Sequence, residues 1–284
     1  KRGLYCGGGH NVHPYNDVWE YDLAANTWVC LYGADPAPAP GYAKITPEAR
    51  VEWYKKNAVF TNGVVRTPRG APVRPCHTWW SLAYDSTKQR LLFMESHKGF
   101  FGVDKGALCQ ALGIDPKDPL LRTYGSGPGE AWLFTFYPET REWKEVYTNV
   151  PKSNESLCLE YLPEQQAIWW MLSDKTLRRD AATNDWVAYP ASKGGPGGGA
   201  ETAYDPETRQ IVATMGLRTC VFSCDTGLWT VAQTNAMDGG CVPDATFCYD
   251  STAKRFVLYT FMKLPGRPEG VRLRLYDHRA NEWT

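Results

Sequence analysis

Histidines, cysteines and clustered aromatic residues are the side chains here whose chemistry could extend beyond packing. The histidines are His10, His13, His77, His97 and His278, and imidazole is a common ligand for zinc or copper. His10, His13 and His77 are candidate ligands. Yet His10 and His13 in GGGHNVHPY form a loop pairing, and no HxxxH-type pair sits on a helix. The expectation is no metal and no cofactor, with copper or zinc as the alternative. The nine cysteines include no CxxC pair, which argues against a zinc ribbon or a thioredoxin-like redox centre. Nine is odd, so at least one thiol stays free or pairs outside the chain. No Ser-His-Asp order, nucleophile elbow or spaced carboxylate pair stands out. GGPGGG at 194–199 lacks the Lys-Ser/Thr of a phosphate loop and reads as a flexible connection.

The second kind of candidate is a binding rim. Trp53 and Tyr54 lie in PEARVEWYKKN, a predicted helix over 47–57 with Thr46 as N-cap and Pro47 at its first position. His97, Lys98, Phe100, Phe101, Arg122 and Tyr124 lie in a long segment, 97–129, that mixes aromatic anchors with cations. Such residues suit a protein or glycan partner. The competing reading is that they fasten their own loops, the second over a helical turn at 105–112.

Positioning these residues is the task of the remaining chain. Its 284 residues carry 31 Lys+Arg against 31 Asp+Glu, a formal net charge of zero, so no whole-molecule field draws it onto nucleic acid. No apolar run approaches the roughly 18 residues of a spanning helix. The chain is 43% hydrophobic with 12 Trp, 16 Tyr and 10 Phe, far more core-forming surface than a disordered segment holds.

Two segments recur. One is an aromatic-rich run, a polar turn and Trp: NDVWEYDLAANTW, AWLFTFYPETREW, TLRRDAATNDW, CVFSCDTGLW and VRLRLYDHRANEW, with Asp22, Asp180, Asp225 and Asp277 expected to open the turns. The other lies between them: SLAYDSTKQRLLFM, CLEYLPEQQAIWWM, ETAYDPETRQIVATMG and TFCYDSTAKRFVLYT. Each reads as a hairpin of β-branched and aromatic residues about an Asp-, Ser-, Thr- or Pro-opened turn. Joined in order they give strands a, b, c and d in units of about 43 residues, the size of a propeller blade.

GLYCGGGH followed by NDVWEYDLAANTW resembles the kelch repeat of the galactose oxidase-like propellers, with a glycine run after strand b and Trp on strand d. The resemblance implies an all-β, kelch-like β-propeller of four-stranded antiparallel blades. Five blades are visible, at about 1–33, 77–147, 156–189, 200–232 and 245–284, the first lacking its innermost strand. The segments 34–76 and 97–129 are long loop insertions. Such rings usually hold six or seven blades, so the expectation is one propeller domain over 1–284 belonging to a larger ring, with five blades alone as the alternative. The copper-radical constellation of galactose oxidase-like members needs two His, two Tyr and a Cys, and none aligns here.

Antiparallel order places the a–b and c–d turns at one end of every blade and the b–c and d–a connections at the other. All the long connections fall at that second end, which is the expected binding face.

Geometry separates the cysteines. Cys220 and Cys224 stand about 13 Å apart on one strand at ~3.3 Å per residue, and Cys6 and Cys30 are separated by a strand, so neither pair bridges. Cys158 and Cys248 on inner strands are expected to be small buried hydrophobes. Cys76 and Cys109, in loops of one blade, are the expected disulfide, which would imply an oxidising compartment.

The expected function is non-catalytic binding of a protein or glycan partner through the long-loop face. The alternatives are an enzyme at the funnel of that face, oxidoreductase or carbohydrate-active, and a structural module of a larger homo- or hetero-oligomer. The expected location is extracellular or periplasmic, from a likeness of YDPETRQ and YDSTAKR to exported bacterial kelch-like proteins, with cytoplasmic as the alternative.

Overall fold

A computed structural model describes residues 2–7, 15–36, 45–73, 81–95, 105–118, 131–150, 156–172, 175–180, 183–190, 195–196, 200–215, 218–234, 246–262 and 270–284. The chain is an all-β propeller of antiparallel blades, and the nineteen strands that the repeats predict are all present. The first sheet holds three: β1 (Arg2–Cys6), β2 (Val18–Asp22) and β3 (Thr27–Tyr32). After the insertion, which contains α1 (Pro47–Asn57), β4 (Val59–Thr61) and β5 (Val64–Arg66), the second sheet is β6 (Leu82–Asp85), β7 (Arg90–Glu95), β8 (Ala131–Tyr137) and β9 (Glu142–Val150). Between β7 and β8 lies α2 (Lys105–Leu112). The third sheet is β10 (Ser156–Leu162), β11 (Ala167–Leu172), β12 (Lys175–Arg179) and β13 (Trp186–Pro190). The fourth is β14 (Glu201–Asp205), β15 (Gln210–Met215), β16 (Arg218–Ser223) and β17 (Leu228–Gln233). The fifth is β18 (Thr246–Asp250), β19 (Arg255–Met262), β20 (Gly270–Asp277) and β21 (Glu282–Trp283). The β4–β5 hairpin was not predicted, although its Asn62-Gly63 turn, with φ of 53° and 78°, is a strong hairpin signal.

The turns repeat one device. Asp22, Asp85, Asp180, Asp205, Asp250 and Asp277 each accept a backbone N–H two or three residues on, as at Asp85 Oδ1, which takes Thr87 N–H at 3.1 Å and Lys88 N–H at 3.0 Å. Each turn closes on a left-handed residue, among them Asn26, Gln89, Arg209, Lys254 and Asn281. Asp225 departs from expectation. In that turn Ser223 Oγ accepts the Thr226 N–H at 3.3 Å, and Asp225 instead pairs with Arg209 at 3.1 Å.

The chain divides into two compact units, Lys1–Asn154 and Glu155–Thr284. In the first, Cys6, Val18 and Tyr32 of the first sheet share a core with Phe93, Phe134, Phe136 and Trp143 of the second. Tyr32 meets Phe136 and Trp143 edge-on, with ring centres 6.0 and 6.4 Å apart. The helix α1 begins as predicted, Thr46 Oγ1 accepting the Ala49 N–H at 3.2 Å with Pro47 in the first turn, and it packs on α2. In the second unit, innermost strand β14 packs beside β10 on one side and β18 on the other, the radial order of propeller blades. There Trp229 Nε1 donates to Thr176 Oγ1 of the preceding sheet at 2.8 Å, and Trp283 Nε1 does the same to Thr219 Oγ1 at 3.0 Å.

Candidate functional site

Within the first unit, a cleft of about 830 Å³ separates the first and second sheets. Arg2, Gly3 and Leu4 of β1, Glu20 of β2, and Val29 and Leu31 of β3 contribute one wall, while Leu82, Ala83 and Tyr84 of β6 and Leu91 of β7 contribute the other. Turn residues Gln89, Pro138, Glu139 and Arg141 close one end. The floor is aliphatic and the rim carries both signs of charge. Arg2 Nη1 lies 3.5 Å from Glu20 Oε1 and Arg2 Nε lies 3.8 Å from Asp22 Oδ2, but the Arg2 side chain is 65% exposed, so neither contact holds it firmly. Tyr84 donates its hydroxyl to Gln89 Oε1 at 3.0 Å, and burial, followed by the charges of Asp85 and Glu20, raises its pKa, which keeps it a neutral donor.

This cleft lies at the a–b and c–d end of the blades. The expected binding face is the opposite end, and most of its connections fall outside the described residues. His97, Lys98, Phe100, Phe101, Arg122 and Tyr124 are outside the described residues, as are His10, His13 and His77. The two remaining candidates are described. Tyr54 is 1% exposed in the core that α1 shares with α2 and the β4–β5 hairpin, and Trp53 packs half-buried against it with ring centres 5.1 Å apart. Both rings thus pack against the core of the insertion, Tyr54 fully and Trp53 in part.

A polar hub ties that insertion to the first sheet. Asp35, only 8% exposed, accepts from Asn16 Nδ2 at 3.0 Å, from the Tyr32 hydroxyl at 2.7 Å and from Arg69 Nη1 at 2.9 Å. Arg69 also stacks over Tyr32 at 4.0 Å, and Asn16 Nδ2 reaches the Pro72 carbonyl at 2.9 Å.

Cys109 is a buried free thiol on α2, whereas its expected partner Cys76 lies outside the described residues, so that bridge rests on the sequence alone. Cys6, Cys30, Cys220 and Cys224 are free, as the strand geometry requires. Cys158 is buried, but Cys248 is exposed, because the alternation of β18 turns Phe247 into the core between fourth and fifth sheets and Cys248 away from it.

Two polar clusters in the second unit were not legible in the sequence, because each joins different repeats. On the inner strands, Thr202 Oγ1 donates to Glu160 Oε1 at 2.8 Å; burial, then the charge of Glu201, raises Glu160 to about 7 against the hydrogen bond. At the turns, His278 Nε2 lies 2.9 Å from Asp205 Oδ2 and 3.0 Å from Thr208 Oγ1, and burial lowers the imidazole pKa despite the carboxylate beside it. Among the described residues no three His, Cys, Asp or Glu side chains gather as a metal site.

No protein-family model and no curated protein matches the chain. Solved structures do, and among them one titled "Structure of YjhT" is similar over 100% of this chain and 80% of its own, at 11% identity and a TM-score of 0.49.

Proposed function

We propose that this propeller is a binding module whose partner is a protein segment seated in the cleft between the first two sheets. One observation carries the reading: a cleft of about 830 Å³ with an aliphatic floor and a mixed-charge rim, the composition of a site that fixes a chain by a few anchors. The balance of Arg2 and Arg141 against Glu20 and Glu139 favours a segment of mixed polarity over a polyanion. No helix among the described residues is long and apolar enough to cross a membrane.

The test is to select a random-peptide display library on the full chain, with a glycan array in parallel. Enriched peptides are expected to lose binding to Val29→Arg, which carries a bulky charge into the cleft from a lining position that is 37% exposed, while that variant keeps its far-UV β signal. Peptides that bind the variant unchanged, or glycans enriched where no peptide is, would overturn the reading.

A second reading, a structural module of a larger assembly, is supported by the fifth sheet. Tyr259, Val271 and Leu273 stand 44%, 42% and 64% exposed on one face of it, a contiguous apolar surface of the kind that marks an interface.

A further inference from the structure

A buried aspartate opens the first turn of the second sheet and of the fourth, and each is met differently. Asp85 lies opposite Arg90, whose Nε binds its Oδ2 at 2.8 Å, and a guanidinium is a cation at any ordinary pH. In the fourth sheet the matching pair is Asp205↔Gln210, which brings no charge. The partner of Asp205 comes instead from the β20–β21 turn of the fifth sheet. His278 Nε2 stands 2.9 Å from Asp205 Oδ2, with the two side chains 2% and 0% exposed. A titratable ring thus occupies, between two sheets, the role that a permanent cation fills within one.

From this arrangement we infer that His278 is an acid-released latch between the fourth and fifth sheets, closed while its imidazole is neutral and opened when Nδ1 takes a proton from solvent. The latch lies in the second unit and is independent of the proposed cleft. Asp205 fixes the tautomer. Its carboxylate already accepts the Glu207 N–H at 2.9 Å and the Thr208 hydroxyl at 2.7 Å; burial opposes its charge, but its hydrogen bonds outweigh burial and hold the carboxyl below its ordinary pKa. A carboxylate only accepts, so Nε2 carries the imidazole hydrogen and Nδ1 is bare. That Nδ1 is buried without a hydrogen-bond partner among the described residues, and the ring stands edge-on to Phe256 with centres 5.2 Å apart. Protonation would place a new N–H and a positive charge where nothing accepts them.

The charges around the ring divide. Burial is the largest influence and lowers the imidazole pKa; Asp205 and Asp277 favour the imidazolium, whereas Arg279 and Arg255 oppose it. Glu207 is engaged by Arg279 at 2.8 Å and by Lys254 at 3.0 Å, and Tyr249 faces Asp205 as a neutral phenol, its pKa pushed up to about 12 by burial and then by that carboxylate. The Glu207 pairs are half-exposed and hold the turn weakly, so the buried contact decides whether it stays docked. Ala203 and Val212 remain packed on Phe247 and Leu258 beneath, which confines the opening to the turns.

The experiment follows the full chain from about pH 7.5 to about pH 5, by proton NMR of the imidazoles and by amide exchange corrected for intrinsic rates. The His278 resonance is recognised by its loss in His278→Gln, which keeps an N–H for Asp205 but cannot titrate, or in the wild type by its proximity to the Phe256 ring. It should titrate below 6.5. Protection of the Glu207 and Arg279 amides, which Asp205 and Asp277 hold, should fall about tenfold on acidification, while the third sheet keeps its protection and His278→Gln keeps it in both turns. An imidazole that titrates at or above 6.5, turns that loosen equally in His278→Gln, or protection lost through the third sheet as well would overturn the latch. If the variant does not fold, the wild type still decides. Turn protection that tracks the imidazole titration supports the latch, and turn protection indifferent to it overturns the latch.

Discussion

Asp35 joins three donors from three places in the chain, so its removal is not the loss of one bond. Asp35→Ala leaves Asn16, 2% exposed, and the Tyr32 hydroxyl without their acceptor inside the fold. The penalty for stranding buried donors exceeds the net worth of the bonds, and the expected loss is about 2–4 kcal/mol in urea denaturation. Arg69 is 53% exposed and rehydrates readily, so Arg69→Ala should cost far less, under about 1 kcal/mol. Equal losses for the two variants would remove Asp35 from its role as hub. Glu160 supplies the pH prediction. Its folded pKa, about 7, lies above the ordinary value of 4.5, so the folded state holds the proton more tightly than the unfolded chain. The resulting stability is fully present below pH 4.5 and is lost as pH rises to about 7, on the order of 1–3 kcal/mol. His278 acts with the opposite sign, since its depressed pKa lowers stability as pH falls below 6.5. Comparing wild type with Glu160→Gln isolates the first effect: the variant's denaturation midpoint should fall less between pH 5 and 8, and a parallel profile would refute the assignment.

At the scale of the element, the Trp on each fourth strand shows how the sheets are stitched. Thr176 and Thr219 occupy matching positions, four residues before the turn-opening Asp180 and Ser223, and each accepts an indole N–H from the following sheet. In the first sheet the matching residue, four before Asp22, is Val18, and Trp143 Nε1 in the second sheet is buried without a partner among the described residues. The pattern gives a paired prediction. Thr176→Val should destabilise by about 1–2 kcal/mol by stranding Trp229 Nε1, while the nearly isosteric Val18→Thr should be neutral or stabilise by about 1 kcal/mol by giving Trp143 its acceptor. Thermal denaturation decides it; a Val18→Thr loss as large as that of Thr176→Val would show that the hydroxyl finds no indole. The strands and turns were legible because each repeat states its own turn chemistry, and α1 because Thr46-Pro47 encodes its start. The β4–β5 hairpin was equally encoded by Asn62-Gly63, but it stands outside the repeat that organised the reading. The cleft was not legible, since its walls come from residues 2–4, 20, 29–31, 82–91 and 138–141, and only register brings these together. The connections where ligand contacts were expected are long, which marks them as special without stating what they touch.

At the scale of the molecule, the question is what the exposed sheet faces do in solution. A sheet between two others buries both faces: in the fourth, Ala203 and Val212 meet the fifth sheet while Phe222 meets Trp169 of the third. The fifth sheet buries Phe247, Phe256, Leu258 and Tyr276 on one face and leaves Tyr259, Val271 and Leu273 on the other. Cross-strand pairing places Tyr259 directly opposite Leu273, so the exposed side chains form a patch and not isolated residues. Apolar area of that kind gains roughly 25 cal/mol per Å² when covered, which drives association of whatever surface complements it. Because β20 is already paired on both sides in its sheet, a Lys at 273 would point to solvent and should leave the fold intact. Leu273→Lys should therefore keep its melting temperature within a few degrees while lowering concentration-dependent association in native mass measurements and sedimentation. If wild type and variant are monomeric alike and bind an apolar dye equally, the patch is not an interface. The reading of this protein as part of a larger assembly then loses its support, while the cleft beside β1, on other residues, is untouched.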